Sequence, residues 1–216
     1  MVCPLCSSHT LEKIQAPQKL YYRCLTCDLI HIDPSHCLAP EEEKIRYGFH
    51  NNSLENKGYV DFLMQFIHFI PPELLTPKSA ILDFGCGPTP VLSLLLEQQG
   101  LSPTLYDRYF FPETPWRRQK YQLILVHEVI EHIQNPAEYF KTWGQILAPS
   151  GRLIIRSHFH PQENSDFLKW WYILDNTHIS FFSEKSYDYL EKQGLWTIEE
   201  SDKKSMIILK KAEQYT

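Results

Sequence analysis

Residues Ile81 to Pro90 read ILDFGCGPTP, and the fold turns on how that stretch is read. A short apolar run from Ala80 to Phe84 carries an acid at Asp83 and is followed by two glycines one residue apart, Gly85 and Gly87. A strand leading into such a loop and then a helix opens a doubly wound sheet, with its ligand at the carboxyl edge of the strands. A dinucleotide fingerprint would need a third glycine at position 90, where this chain has proline. A phosphate-cradling loop would need a run of free backbone N–H donors, and Pro88 and Pro90 remove two of them. Asp83 further disfavours an anion. A ligand that carries positive charge and no phosphate suits the loop better.

Outward from this loop, short apolar strands alternate with helices, the pattern of a mainly parallel sheet covered on both faces. Thr89 is expected to cap a helix that starts at Pro90 and ends near Gly100. Thr104 to Tyr106, Gln122 to Val126 and Arg152 to Ser157 read as further strands, the last after the turn Pro149-Ser150-Gly151. Asn135 and Pro136 start a helix running to Leu147, and Ser183 caps one ending at Gly194. Leu195 to Glu199 and Met206 to Lys210 read as an antiparallel hairpin that closes the sheet. Upstream, Glu41 to Tyr47 and Tyr59 to Ile70 read as helices, the second stopped by Pro71, Pro72 and Pro77.

The chain has 216 residues, enough for one ordinary domain and a small module. With 43% apolar and 13% aromatic residues it folds around a core, and a net charge of −5 argues against a nonspecific nucleic-acid coat. The N-terminus lacks the features of a secretory signal, and the most apolar helix is too short and too interrupted to span a bilayer. A cytoplasmic protein with no membrane partner is expected.

Four of the six cysteines form two pairs, Cys3-Pro-Leu-Cys6 and Cys24-Leu-Thr-Cys27, with seventeen residues between them. That is the spacing of a zinc ribbon, in which two knuckles present four thiolates to one structural ion and leave no open position for chemistry. Two disulfides or a redox pair are the alternative. The expected organisation is a zinc ribbon over 1–40, a helical lead-in over 41–78 and a ligand-binding α/β domain over 79–216.

From Ser79 to Lys210 the ordered set LDFGCG, LYD, YQLILVHEVIEHIQNP, LAPSGRLII and HISFFS resembles the class I S-adenosylmethionine-dependent methyltransferases, in particular the short branch similar to ubiquinone-biosynthesis O-methyltransferases. The resemblance implies a Rossmann-like sheet and S-adenosylmethionine as cofactor. It also implies that Asp83, Gly85 and Gly87 hold the methionine end and that Asp107 takes the ribose hydroxyls. A carboxylate is independently suited to accept two hydrogen bonds from a diol. Glu128 is grouped with these cofactor-side residues. The chain departs from the family in two places. Thr89 stands where a third glycine is common, and only thirteen residues separate Asp107 from Tyr121, too few for a helix, a strand and their connections. The usual adenine-binding acid therefore has no clear counterpart.

The segment His127-Glu128-Val129-Ile130-Glu131-His132 follows a strand end. If 128–132 formed a helical turn, Glu128, Glu131 and His132 would share a face. Glu-x-x-Glu-His resembles the metal motif of ubiquinone-type and small-RNA 2′-O-methyltransferases, with His178 as the matching later histidine. Three roles stay open. These four residues hold a second divalent metal; Glu131 and His132 brace the next helix; or His132 and His178, with Glu131, do acid–base work. The aromatics of Asp166 to Phe182 either line an acceptor pocket or pack. His50, Asn51 and Asn52 either contribute to it or form a turn, and His158 and His160 are expected at the surface or pocket rim. The expected acceptor is a hydroxyl on a small molecule, with RNA as the rival; a noncatalytic zinc-ribbon interaction protein is the alternative of another class. Nothing in the sequence sets an oligomeric state.

Overall fold

The computed structural model describes residues 1–48 and 52–212, so His50 and Asn51 lie outside the described residues. The chain opens with three antiparallel strands, β1 (Leu11–Gln15), β2 (Leu20–Cys24) and β3 (Ile30–Ile32), then helices α1 (Pro40–Tyr47) and α2 (Lys57–Phe69). Next come β4 (Ile81–Phe84), α3 (Val91–Glu97), β5 (Thr104–Tyr106), β6 (Tyr121–His127), α4 (Pro136–Ile146) and β7 (Leu147–Arg156). The last part contains α5 (Asn164–Phe167), β8 (Ser180–Phe181), α6 (Glu184–Lys192), β9 (Trp196–Ser201) and β10 (Met206–Lys211).

Six strands form the central sheet in the order β5-β4-β6-β7-β10-β9, parallel from β5 to β7 and antiparallel where β10 meets β7 and β9. The inner strands β4, β6, β7 and β10 carry apolar runs because both of their faces are buried. Alternation along each strand sends side chains to opposite sides. Leu82, Phe84, Ile124, Val126, Leu153 and Ile155 join the cluster around Trp143 of α4 and Tyr187 of α6. Ile81, Leu123, Leu125 and Ile154 join that of α2 and α3.

The sheet edge beside β5 has no further strand. The short span after Asp107 makes only an isolated bridge from Asp107 to Phe111 and a 3-10 turn at Trp116–Arg118, as the residue count requires. Strand β7 starts earlier than the expected Arg152, because Leu147 already pairs with Tyr121, and an irregularity in register absorbs Pro149-Ser150-Gly151. Helix α3 starts at Val91 rather than Pro90, which is its N-cap residue, and Thr89 makes no side-chain cap.

The second sheet has the order β1-β2-β3-β8, so a strand from beyond residue 179 completes a layer begun by the first 32 residues. The aromatics between Asp166 and Phe182 mostly pack: Phe167, Tyr172, Phe181 and Phe182 are buried, whereas Trp171 is exposed. His160 also departs from expectation. It is buried and bonds through Nε2 to the Asp28 carbonyl at 2.7 Å, because the segment after β7 docks on the N-terminal layer. No helix among the described residues is long and apolar enough to cross a membrane.

Candidate active site

The loop after β4 turns over the carboxyl ends of β4 and β5. The Gly85 and Cys86 amides both donate to the Tyr106 carbonyl, at 2.7 and 3.1 Å, which anchors the loop to β5. Gly85 and Gly87 have φ of +81° and +69°, in the left-handed region that favours glycine. A Cβ at Gly85 would stand 2.4 Å from Val129 Cγ2, whereas at Gly87 it would meet nothing within 4 Å. The first glycine admits the neighbouring loop, and the second opens the cavity floor. Gly85→Ala is therefore expected to destabilise the chain by about 1–3 kcal/mol through backbone strain alone, with further loss from the clash. Urea denaturation reads this, and a variant as stable as the parent would contradict it.

Asp107 sits at the end of β5, nearly buried, and organises its surroundings. Its Oδ2 accepts from the Gly87 amide at 3.1 Å, and its Oδ1 accepts from the amides of Tyr109 (2.8 Å) and Phe110 (3.1 Å). A carboxylate has about four acceptor positions and these amides occupy three, so about one stays open to a ribose hydroxyl.

Asp83 does not line the cavity. It follows Leu82 on the pleat and points toward α3, where Ser93 Oγ donates to its Oδ2 at 2.7 Å, and burial raises its pKa to about 6. Its side chain is thus held by α3, while Gly85, Gly87 and Asp107 line the cavity. Thr89 is exposed and also off the cavity wall, so it does not crowd a ligand.

The opposite wall follows β6. Here the expected helical turn over 128–132 is absent. Glu128 has φ of +52°, and only Ile130–His132 form a 3-10 turn. The Glu128 amide is tied to the Arg156 carbonyl at 2.9 Å, which holds the left-handed backbone. Its side chain turns toward Arg156 (3.8 Å) and accepts from the Tyr172 hydroxyl at 3.0 Å. Glu131 is fully buried and accepts from the same hydroxyl at 2.5 Å. Burial and then the neighbouring Glu131 push Glu128 up to about 8, and burial pushes Glu131 up to about 7.

Two imidazoles complete this wall. His132 Nδ1 lies 2.9 Å from the Thr177 carbonyl, and His178 Nδ1 lies 2.8 Å from the Tyr172 carbonyl. A carbonyl only accepts, so each Nδ1 carries the proton and each Nε2 keeps its lone pair. Burial lowers the pKa of both; for His178, with the neighbouring His132 also contributing, it falls to about 3. One ligand atom each from Glu131, His132 and His178 lies within 4.8 Å of the others, an arrangement able to hold a metal ion. Glu128 falls outside that group, because its backbone directs it to Arg156.

Both walls face one cavity of about 680 Å³, lined by Gly85, Gly87, Asp107, Glu128, His132 and His178 among others. Part of its lining comes from residues not singled out in the sequence, Glu43 and Tyr47 of α1 and Tyr59 and Phe62 of α2, and Asn52, one of the expected contributors, lines it too. Glu43 accepts from the hydroxyls of Tyr109 (2.7 Å) and Tyr47 (2.6 Å), while Tyr47 meets the His132 ring edge-on at 5.3 Å. The spacing of Tyr59 and Phe62 on one face of α2 is the one sequence signal that pointed here.

The four N-terminal cysteines converge elsewhere. Cys3 and Cys27 Sγ are 3.5 Å apart, Cys6 and Cys24 Sγ 3.3 Å apart, and all four lie within 4.8 Å. A disulfide needs about 2.05 Å, whereas sulfurs around a tetrahedral zinc at about 2.3 Å stand roughly 3.8 Å apart. The separations are closer to those of a metal-ligand set than to a disulfide, and the four sulfurs could hold an ion. The Cys27 hydrogen bond draws Cys3 down to about 5, while burial raises Cys6 to about 12.

A family model described as "Methyltransferase domain" matches residues 56–200, about two thirds of the chain. No curated protein matches. Among solved structures, the plantazolicin methyltransferase BpumL, in complex with a monoazolic desmethyl analogue and SAH, is 16% identical, with 81% of this chain and 91% of that chain covered and a TM-score of 0.52. The PH0226 protein of Pyrococcus horikoshii OT3 is 17% identical over 78% of this chain and 98% of that chain, with a TM-score of 0.49. CalO1, a methyltransferase in calicheamicin biosynthesis in its SAH-bound form, is 13% identical over 71% of this chain and 54% of that chain, with a TM-score of 0.48. At these identities the likeness is one of fold.

Proposed function

The chain belongs to the S-adenosylmethionine-dependent methyltransferases, and from that premise we propose that it methylates a hydroxyl of a small molecule, in a cavity between the glycine loop and the wall of His132 and His178. The observation that carries this reading is the pair of imidazoles whose Nδ1 atoms are committed to backbone carbonyls, leaving two Nε2 lone pairs on the cavity that also holds Gly87 and Asp107.

Residues suited to the cofactor are present. The glycine loop lets backbone approach a methionine end, with open space where a Gly87 side chain would stand, and Asp107 offers its remaining lone pair to a ribose hydroxyl. S-adenosylmethionine supplies a methyl group on a sulfonium, so that an O–C bond forms as the C–S bond breaks and a neutral thioether leaves. The chain's own part is to hold the acceptor in line and to accept its proton at His132 Nε2, because His178, depressed to about 3, is too weak a base and serves to hold the hydroxyl in place. Ionisable side chains on the cavity are mainly acidic, Glu43, Asp107 and Glu128, and the cation among them, Arg108, is more than half exposed. A phosphate-rich acceptor such as RNA would find little counter-charge there, whereas a neutral hydroxyl donor suits the lone pairs.

A divalent cation is a second reading of the same wall. Glu131 has a buried Oε2 with no hydrogen-bond partner, and one ligand atom from each of Glu131, His132 and His178 lies within 4.8 Å of the others. Histidines that donate Nδ1–H to carbonyls are oriented as metal ligands usually are. Glu131, His132 and His178 would hold the ion, which would lower the pKa of a nearby hydroxyl. Zinc on Cys3, Cys6, Cys24 and Cys27 would be structural, in a ribbon over residues 1–40 followed by a lead-in over 41–78 and the methyltransferase domain over 79–216.

The test uses labelled S-adenosylmethionine with phenols, catechols and aliphatic alcohols beside transfer RNA. Transfer to a small hydroxyl compound is expected, and His132→Ala should lower its rate by about 10²–10⁴ while affinity for S-adenosylhomocysteine holds. Label appearing only on RNA would overturn the acceptor assignment, and no transfer with no cofactor binding would favour a noncatalytic scaffold. The depressed pKa of His178 also has a direct readout. Its imidazole should stay neutral from pH 8 down to below pH 5 by nitrogen-15 NMR; a midpoint near 6.5 would contradict its burial beside His132.

A further inference from the structure

We propose that the N-terminal cysteine ribbon is a positioning element for the acceptor wall, holding His178 and His132 in place through strand β3 and through Asp28, which directly follows the second cysteine knuckle. The proposal rests on the reading of those two histidines as acceptor-side groups.

The connections are short and continuous. β3 pairs with β8, Ile30 opposite Phe181 and His31 opposite Ser180, and the Ile32 amide donates to the Ile179 carbonyl at 2.9 Å. The other edge of that segment grips the histidine turn. The Ile179 amide donates to the Glu131 carbonyl at 2.8 Å, Ser180 Oγ donates to the Ile133 carbonyl at 2.8 Å, and the Thr177 carbonyl receives His132 Nδ1. Residues 177–181 are thus a strip with the ribbon on one side and Glu131–Ile133 on the other, and His178 stands within it.

Asp28 fastens the strip's far end. It has φ of +59°, its Oδ2 accepts from Ser183 Oγ at 2.8 Å, and its carbonyl receives His160 Nε2 at 2.7 Å. Arg23, one residue before Cys24, donates to the carbonyls of Pro161 and Gln162. A two-residue strand has too few bonds of its own to stay ordered without such support. The glycine loop, by contrast, is tied to Tyr106 and Asp107 with no bond to the ribbon among these contacts. Loosening the ribbon should therefore disturb the histidines and spare the cofactor half.

Asp28→Gly in the full chain removes the carboxylate and keeps a residue suited to the left-handed turn; Asp28→Asn retains an oxygen for Ser183. Three readouts are taken: hydrogen exchange at the Ile32 and Ile179 amides, the imidazole nitrogen pattern of His132 and His178, and titration with S-adenosylhomocysteine. In Asp28→Gly, exchange at Ile179 should rise at least ten-fold and His178 should lose its single-tautomer signature, while affinity stays within two-fold. Asp28→Asn should restore most of both, and Cys24→Ser/Cys27→Ser should exceed the glycine variant in the same direction. Unchanged exchange and imidazole signals in Asp28→Gly would overturn the proposal, as would an affinity loss that tracks them, since the ribbon would then only support the whole fold. A parent chain that binds no S-adenosylhomocysteine would refute the methyltransferase site, yet the coupling would still be read in the first two measurements.

Discussion

Asp107→Ala is expected to weaken binding of S-adenosylhomocysteine by about 10–10². A hydrogen bond from a ribose hydroxyl to a charged carboxylate contributes about 1.5–3 kcal/mol, and each 1.4 kcal/mol is roughly a factor of ten. The substitution also strips the acceptor from three amides, those of Gly87, Tyr109 and Phe110, so the loop loses the frame that shapes the cavity floor. Asp107→Asn keeps an acceptor oxygen and loses the charge, and should fall between alanine and the parent. Calorimetric titration reads the series. An alanine variant with a lowered melting temperature and unchanged affinity would leave Asp107 as a loop brace and nothing more.

Removal of the zinc proposed for Cys3, Cys6, Cys24 and Cys27 should have the other large effect. Cys3, Cys24 and Cys27 are essentially inaccessible and pack in the same cluster as Leu29, Phe140 and Tyr187. Without an ion, that cluster contains crowded thiols that cannot all ionise together, as the opposite shifts of Cys3 and Cys6 indicate. Structural zinc contributes roughly 10–16 kcal/mol in small ribbons and fingers. Losing even about 4 kcal/mol lowers the melting temperature of a chain this size by roughly 8–16 °C. Elemental analysis should find one zinc per chain, and a strong chelator or Cys27→Ser should produce that drop. A metal-free protein with the same melting temperature, or one linked by disulfides, would contradict the assignment.

The features legible in the sequence are those set by local chemistry. Leu82 to Phe84 and Leu123 to Val126 read as strands because burial on both faces leaves no polar interruption except Asp83. The two cysteine pairs carry their own spacing. The missing strand beyond β5 follows from the thirteen residues between Asp107 and Tyr121, and the structure has none there.

Other features depend on contacts far along the chain. The side to which Asp83 points depends on Ser93 of α3, and the left-handed turn at Glu128 depends on the Arg156 carbonyl. β8 is only two residues long and forms a strand because β3, about 150 positions earlier, lies beside it. Glu43 and Tyr47 look like an ordinary charged helix until α1 is laid across Tyr109 and His132. For the same reason the expected group, Glu128, Glu131 and His132 on a helical face joined by the later His178, becomes Glu131, His132 and His178, with Glu128 turned to Arg156.

The account depends above all on the cavity bounded by Gly87 and Asp107 accepting a sulfonium nucleoside. Isothermal titration of the purified chain with S-adenosylhomocysteine, repeated in excess ADP, measures this directly. One equivalent bound per chain, with affinity untouched by ADP and weakened in Asp107→Ala, is the result expected. No heat of binding, or a site that ADP occupies through the same residues, would contradict it.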